Sequence, residues 1–347
     1  MKTKYIVLAA LGFLALGCTV DNSLSSGEVA QEYLAIWMDK YHPGISPNAE
    51  GLYILKDTPG TGSQWDPEQA YAYVECTISG LDGTISSTTE ENLAKQLGTY
   101  SKANYYGPQY KLTGEGYSYA GFDALLQGMR IGGTREALVP SWMLTTSRYS
   151  TQKEYLDAAS SSISSIYKVT LKGQTADVTE TEKDSLTRYV VSHFGNIAPL
   201  SYDSETDPDG TFYFITNASI FEKEEATPRE DSATGTINYT GKLLNGQVFD
   251  TTVEKVAKDA GIYNASYSYE PVSVTFNQDW NSITMGESSS LINGFKGGLS
   301  LMKYKGEKAV VIFSSSHGYS SSGSGEVIPA WSPLIFELEL VTVSNLE

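Results

Sequence analysis

The feature that most constrains this chain is an internal repeat: one ordered series of signals runs through it twice, at low identity, so two similar folding units are expected. Each copy opens on a helix signal. Ser25-x-x-Glu28 stands ahead of Val29, Tyr33, Ile36, Trp37 and Met38, and Thr179-x-x-Glu182 ahead of Leu186, Tyr189, Val190 and Phe194. Both read as capping boxes, in which a hydroxyl and a carboxylate three residues apart satisfy free backbone N–H groups of the first turn. Pro43-Gly44 and Gly195 are the matching stops. A Gly-led apolar strand follows each helix, over 51–55 and 210–215. Next come strand pairs, from Tyr73–Thr77 to Asp82-Gly83 and from Ile237–Gly241 to Asn245-Gly246. Asp-Gly and Asn-Gly predict two-residue turns with positive φ at both central positions.

Further on, Gly121-Phe122-x-x-Leu125-Leu126-x-x-Met129 and Gly294-Phe295-x-x-x-Leu299-x-x-Met302 carry apolar residues at helical spacing. Charged, Gly-containing turns come next, at 132–135 and 305–308, and an alternating strand closes each copy, at 166–171 and 334–340. In the second closing strand Phe336, Leu338 and Leu340 share one face, with Glu337 and Glu339 on the other, so one face is buried and one wet. The implied class is α+β: two domains, each a twisted antiparallel sheet wrapped on a short helix and preceded by an N-terminal helix. The expected boundaries are a leader at 1–17, a tether at 18–26, and domains at 27–175 and 176–347.

Composition removes several functions. Asp and Glu number 41 against 24 Lys and Arg, a formal charge of −17 that repels phosphate backbones, so no nucleic-acid partner is expected. Three His and two Cys offer few ligands for a tetrahedral structural zinc site and no disulfide framework, and no phosphate-cradling glycine loop occurs; neither metal nor cofactor is expected. Glu205-x-Asp207-x-Asp209-Gly210 echoes a calcium loop, but Thr216 stands where the closing Glu belongs, leaving an acidic turn. Ser314 to Ser324 lacks a Gly-x-Ser-x-Gly elbow and reads as a mobile Ser/Gly loop, and His42 and His193 read as structural.

At the N-terminus, Lys2 and Lys4 precede an apolar run from Tyr5 to Leu16, too short to span a bilayer. The run leads into Leu14-Ala15-Leu16-Gly17-Cys18, which resembles the lipobox of bacterial lipoproteins, with Cys18 as the lipidated residue; an ordinary secretory signal is the alternative. Removing Lys2 and Lys4 takes the formal charge from −17 to −19 and leaves Cys76 as a buried, unreactive thiol. No acidic cluster follows Cys18. The expectation is a bacterial cell-envelope protein, lipid-anchored to a membrane and periplasm-facing.

The second copy resembles a known family. Tyr239-Thr240-Gly241, Gly246-x-x-Phe249-Asp250, Leu291-Ile292-x-Gly294-Phe295, Gly298-Leu299-x-x-Met302, Tyr319, Val327-Ile328-Pro329 and Leu334-x-Phe336-x-Leu338-x-Leu340 stand in the order of an FKBP-type peptidyl-prolyl cis-trans isomerase domain, over about 209–343. The first copy resembles a decayed version over about 51–171. Cys76 stands in place of the pocket Tyr, Thr84-Ile85-Ser86-Ser87 after Gly83 lacks Phe-Asp, and Tyr119 stands in place of an aliphatic residue; no Tyr matches Tyr319, while Phe122 and Tyr167 remain. Its scaffold is expected to be kept and its pocket lost.

The resemblance implies that Tyr239, Phe249, Ile292, Phe295, Tyr319, Ile328 and Phe336 line an apolar pocket with Phe295 as its floor. The Ile292 N–H and the Tyr319 hydroxyl would hold substrate carbonyls, and Asp250 would sit at the rim and fix Tyr239. Phe276, or else Ile283, would complete the pocket. Taken without the resemblance, Phe295, Leu299, Met302 and Phe336 are core residues and Asp250 a turn residue. The implied activity is isomerisation of X-Pro bonds in unfolded or nascent proline-containing envelope proteins, the first domain being a partner-binding or spacer module. The alternative is a non-catalytic chaperone or partner-binding lipoprotein. A solute-binding lipoprotein fits poorly, because no βαβ alternation is present.

Overall fold

The computed structural model describes residues 25–158, 163–200, 202 and 210–345. The leader, Cys18 and the acidic turn at Glu205, Asp207 and Asp209 lie outside them. The first half contains α1 (Ser26–Tyr41), β1 (Tyr53–Thr58), β2 (Tyr71–Ser79), β3 (Ile85–Thr88), α2 (Glu91–Leu97), β4 (Gln109–Leu112), α3 (Ala120–Leu126), β5 (Thr134–Val139), α4 (Gln152–Asp157) and β6 (Ser165–Thr175). The second contains α5 (Val178–Phe194), β7 (Phe212–Thr216), α6 (Ala218–Lys223), β8 (Ala233–Leu243), β9 (Val248–Thr251), α7 (Glu254–Ala260), β10 (Val272–Phe276), β11 (Thr284–Met285), α8 (Asn293–Leu301), β12 (Lys308–Phe313) and β13 (Leu334–Asn345). Among the described residues no helix is long and apolar enough to cross a membrane.

The two sheets are antiparallel and share one topology. The first runs β1-β5-β6-β2-β3 with β4 also on β2; the second runs β7-β12-β13-β8-β10-β11 with β9 also on β8. Their registers coincide: Cys76 faces Val169 as Tyr239 faces Leu338, and Ile78 faces Tyr167 as Gly241 faces Phe336. Thr77 and Thr88 bring their hydroxyls together at 2.7 Å, and Thr240 and Thr251 do so at 2.8 Å.

Both hairpin turns use the same pair of bonds. Gly80 N–H donates to Thr84 O and Gly83 N–H to Gly80 O; Leu243 N–H donates to Gln247 O and Gly246 N–H to Leu243 O. Only the glycine of each turn has positive φ, 84° and 86°, so each is a three-residue loop ending on a glycine bulge and not the two-residue turn expected.

Each sheet is covered on both faces. On the inner face α8 packs Phe295 and Leu299 against Val311, Phe313, Phe336 and Leu338. This close approach needs glycine: a Cβ on Gly294 would stand 2.5 Å from the Phe313 ring, and one on Gly298 2.6 Å from Val311. On the outer face Leu186 and Val190 of α5 meet Tyr213, Ile312 and Ile335. In the first half α3 fills the inner face, and Leu34, Trp37 and Met38 of α1 cover Leu138 on the outer one. Each fully buried Phe or Leu contributes roughly 1.5–3 kcal/mol.

The helix starts differ from expectation in one place. Ser25 and Glu28 form the capping box, at 3.3 and 2.7 Å. In α5 the cap is Asp177, whose carboxylate accepts from the N–H groups of Thr179 at 2.8 Å and Glu180 at 3.2 Å. An acceptor two residues earlier takes the first-turn donors, which leaves Glu182 free for another partner. The helices α2 and α7, unassigned from the sequence, also repeat. Both carry a Glu-to-Lys pair at i,i+4 and end on a left-handed glycine, Gly98 or Gly261.

Candidate functional site

In the second half, β8 supplies Tyr239, β9 supplies Phe249 and Asp250, α8 supplies Phe295 with Ile292 as its N-cap, the segment between β12 and β13 supplies Tyr319 and Ile328, and β13 supplies Phe336. The structure brings all of them together. Phe295, Ile328 and Phe336 are buried, and Tyr239, Phe249, Ile292 and Tyr319 are half-buried against the same cluster. The rings meet edge to face: Phe295 and Phe336 at 4.9 Å, Tyr239 and Phe295 at 5.6 Å, Phe249 and Phe336 at 5.6 Å. Gly241 makes room, since a Cβ there would lie 2.4 Å from the Phe249 ring.

Asp250 is exposed at the rim and accepts a hydrogen bond from the Tyr239 hydroxyl at 2.7 Å. Burial, then the Asp250 charge, pushes the Tyr239 hydroxyl well above the ordinary phenol range, and the same two causes raise Tyr319. Both phenols are therefore protonated donors at neutral pH. Among the described residues neither the Tyr319 hydroxyl nor the Ile292 N–H has a hydrogen-bond partner in the protein. The site thus presents two free donors over an aromatic floor, and no nucleophile. No group of three or more His, Cys, Asp or Glu able to hold a metal occurs among the described residues.

Phe276 and Ile283, the two candidates for completing the pocket, are both fully buried in the core and present no surface to a ligand. Phe276 lies instead under the Arg229 guanidinium at 4.2 Å. The supposed mobile Ser/Gly loop is packed at its start, where Ser314, Ser315 and His317 are buried. His193 does not sit on the packed face; it is exposed and stacks on Tyr189 at 4.0 Å.

At the same place in the first half the expected loss of the pocket is only half right. A cavity of about 420 Å³ remains, lined by Cys76, Ile78, Tyr119, Phe122 and Tyr167. What has gone is the chemistry: Ser87 replaces the rim carboxylate and Cys76 the phenol. Burial pushes the Cys76 thiol up to about 12, so it stays protonated and unreactive at neutral pH.

Sequence reading missed the residues that hold the site from outside. Glu182 on α5 is buried, and its carboxylate accepts from Ser315 N–H and Ser315 Oγ, both at 2.7 Å. Val178, Glu182, Leu186 and Val190 recur every four residues along the buried stripe of α5, and a carboxylate on such a stripe was the available signal.

Fold and residues together define a class: an antiparallel sheet holding one short helix, with a cluster of aromatic rings between them and a tyrosine–carboxylate pair at its edge. The family model described as FKBP-type peptidyl-prolyl cis-trans isomerase matches residues 225–341. A probable FKBP-type peptidyl-prolyl cis-trans isomerase of Haemophilus influenzae is 31% identical over 142 residues, 41% of this chain and 46% of that protein. FK506-binding protein 1A of Aspergillus fumigatus is 32% identical over 110 residues, 32% of this chain and 77% of that protein. Among solved structures, that of the three FKBP domains of wheat FKBP73 aligns with TM-score 0.28 and 17% identity over 85% of this chain and 94% of that one. The chain belongs to the FKBP-type peptidyl-prolyl cis-trans isomerase family.

Proposed function

We propose that the second half catalyses cis-trans isomerisation of X-Pro bonds in unfolded or nascent envelope proteins, and that the first half is not catalytic. An X-Pro bond crosses a barrier of about 18–20 kcal/mol because resonance stiffens C–N, and uncatalysed exchange takes tens to hundreds of seconds. Resonance separates charge, so water favours the planar ground state over the twisted transition state. A proline ring seated on Phe295 among Tyr239, Phe249 and Phe336 loses that water. The Ile292 N–H and Tyr319 hydroxyl then hold the flanking carbonyls while the bond turns. Each tenfold in rate requires about 1.4 kcal/mol of preference for the twisted form.

The observation that carries this reading is the pairing of Tyr239 with Asp250 over an aromatic floor, beside two donors that have no partner among the described residues. The test is isomerisation of a short X-Pro peptide by the full chain, where a rate well above background is expected. No rate, together with equally tight binding of proline-free and proline-containing unfolded proteins, would favour the chaperone reading instead.

The signal-like segment and Cys18 support a lipid anchor in the cell envelope, facing the periplasm. In a bacterial host the chain should take up a labelled fatty acid and partition with membranes, and Cys18→Ser should lose both. Label retained by the variant would refute the anchor.

A further inference from the structure

Residues Ala103, Asn104 and Tyr105 belong to the first half, between α2 and β4, yet their polar groups engage the second. The carbonyls of Ala103 and Asn104 accept from Gln247 Nε2 at 3.2 and 3.0 Å. The Asn104 side-chain amide donates to the Glu326 carboxylate, and Tyr105 N–H donates to Glu326 O at 2.8 Å. The Tyr105 ring packs against the second core, and its hydroxyl donates to Pro108 O at 3.1 Å, which ties it back to its own half.

Gln247 and Glu326 each stand two residues before a pocket wall. Gln247 lies in the β8–β9 turn, ahead of Phe249 and Asp250; Glu326 lies in the segment that carries Tyr319 and Ile328. Three consecutive residues thus join two walls that belong to separate stretches of chain. The overhanging segment needs such support, because its backbone turns through positive φ at Ser320 (49°) and Trp331 (60°), which non-glycine residues adopt at a cost. It is held at two further points: Tyr71 of the first half meets Trp331 edge-on at 5.5 Å, and Glu182 of α5, in the second half, accepts from Ser315. In the second half the place of Asn104 is taken by Tyr267, which is 67% exposed and whose N–H donates within its own loop, to Asn264 O at 3.1 Å.

We propose that Ala103–Tyr105 is a positioning strap, through which the first half sets the spacing between the hairpin wall and the overhanging wall of the second half's pocket. The kinetic part rests on the isomerase reading; the structural part does not. In the full chain, Asn104→Asp sets a carboxylate against Glu326. We expect amide hydrogen exchange over 321–328 and 245–250 to rise about tenfold and kcat/KM for a short X-Pro peptide to fall about fivefold, the scale of one lost charged hydrogen bond. Adding Glu326→Gln restores an amide-to-carboxylate bond and should return both readouts towards the parent, which a purely structural defect would not do.

Exchange at the parent level in Asn104→Asp would overturn the strap, and so would faster exchange with an unchanged kcat/KM. If the unaltered chain shows no isomerase rate, the functional reading fails, and the exchange measurement with its Glu326→Gln rescue decides the strap alone.

Discussion

The two halves of this molecule share strand order, register, turn bonds and helix placement, yet differ at the few side chains that make a pocket. Cys76 stands for Tyr239, Ile78 for Gly241, Ser86 for Phe249 and Ser87 for Asp250. Gly241 is bare where the Phe249 ring fills the space, and the first half carries Ile78 and Ser86 at the same two positions beside an open cavity. The scaffold is thus specified by main-chain pairing, glycine contacts and inner-face apolar residues, and it tolerates either set of side chains at these positions.

The largest expected effect is at the floors. Phe295→Ala should cost about 3–5 kcal/mol in denaturant unfolding of the second half, because that ring is buried, and on the proposed reading should abolish isomerase activity. Phe122→Ala, at the half-buried counterpart, should cost less and leave the rate unchanged. A rate loss at Phe122 would break the division of labour.

Next is Glu182. Glu182→Ala leaves the buried Ser315 N–H and hydroxyl without their acceptor, for about 1–3 kcal/mol of stability. Burial raises the Glu182 carboxyl above its ordinary 4.5. Its favourable contribution is therefore full below the unfolded pKa and is lost as pH rises through the folded pKa. Glu182→Gln does not titrate and should gain on the parent as pH rises above the ordinary carboxyl value of 4.5. A parallel pH dependence in the two proteins would contradict the assignment.

Asp250→Ala should lower kcat/KM about tenfold, near 1.4 kcal/mol, while stability moves by less than about 1 kcal/mol because the carboxylate is exposed. Ser87→Ala, its counterpart, should change neither. The smallest effect is that of pH. Tyr239 and Tyr319 are both held above their ordinary value of 10.0, so the isomerase rate should stay flat between about pH 6 and 9; a step in that range would implicate another group.

Most of the fold was legible in the sequence because it rests on local signals that occur twice. Gly-Phe before a helical stripe, Asp-Gly and Asn-Gly between apolar runs, and an alternating closing strand each state their own geometry. The turn type was misread because the dipeptide favours a two-residue turn, whereas the strands close one residue wider on a glycine bulge. The cap of α5 falls on Asp177 and not on Thr179 because the carboxylate two residues upstream takes the first-turn N–H groups.

That Tyr239, Phe249, Phe295, Tyr319, Ile328 and Phe336 come together was readable through the order of the second copy's motifs. Phe276 was misplaced because an aromatic at a strand end gives no sign of whether it faces a cleft or the core. Nothing near Asn104 announces that it bonds Glu326, since contacts between distant loops carry no sequence period. The close approach of the Phe249 ring to Gly241 likewise emerges only when two strands are set in register.

The most direct test converts one half's pocket into the other's in the full chain: Tyr239→Cys, Gly241→Ile, Phe249→Ser and Asp250→Ser together. Because the first half folds around that very set, the protein should keep its circular dichroism and cooperative unfolding while isomerisation of an X-Pro peptide falls to background. A folded quadruple variant that retains the parent rate would contradict the claim that these side chains, and not the shared scaffold, make the second half the working one.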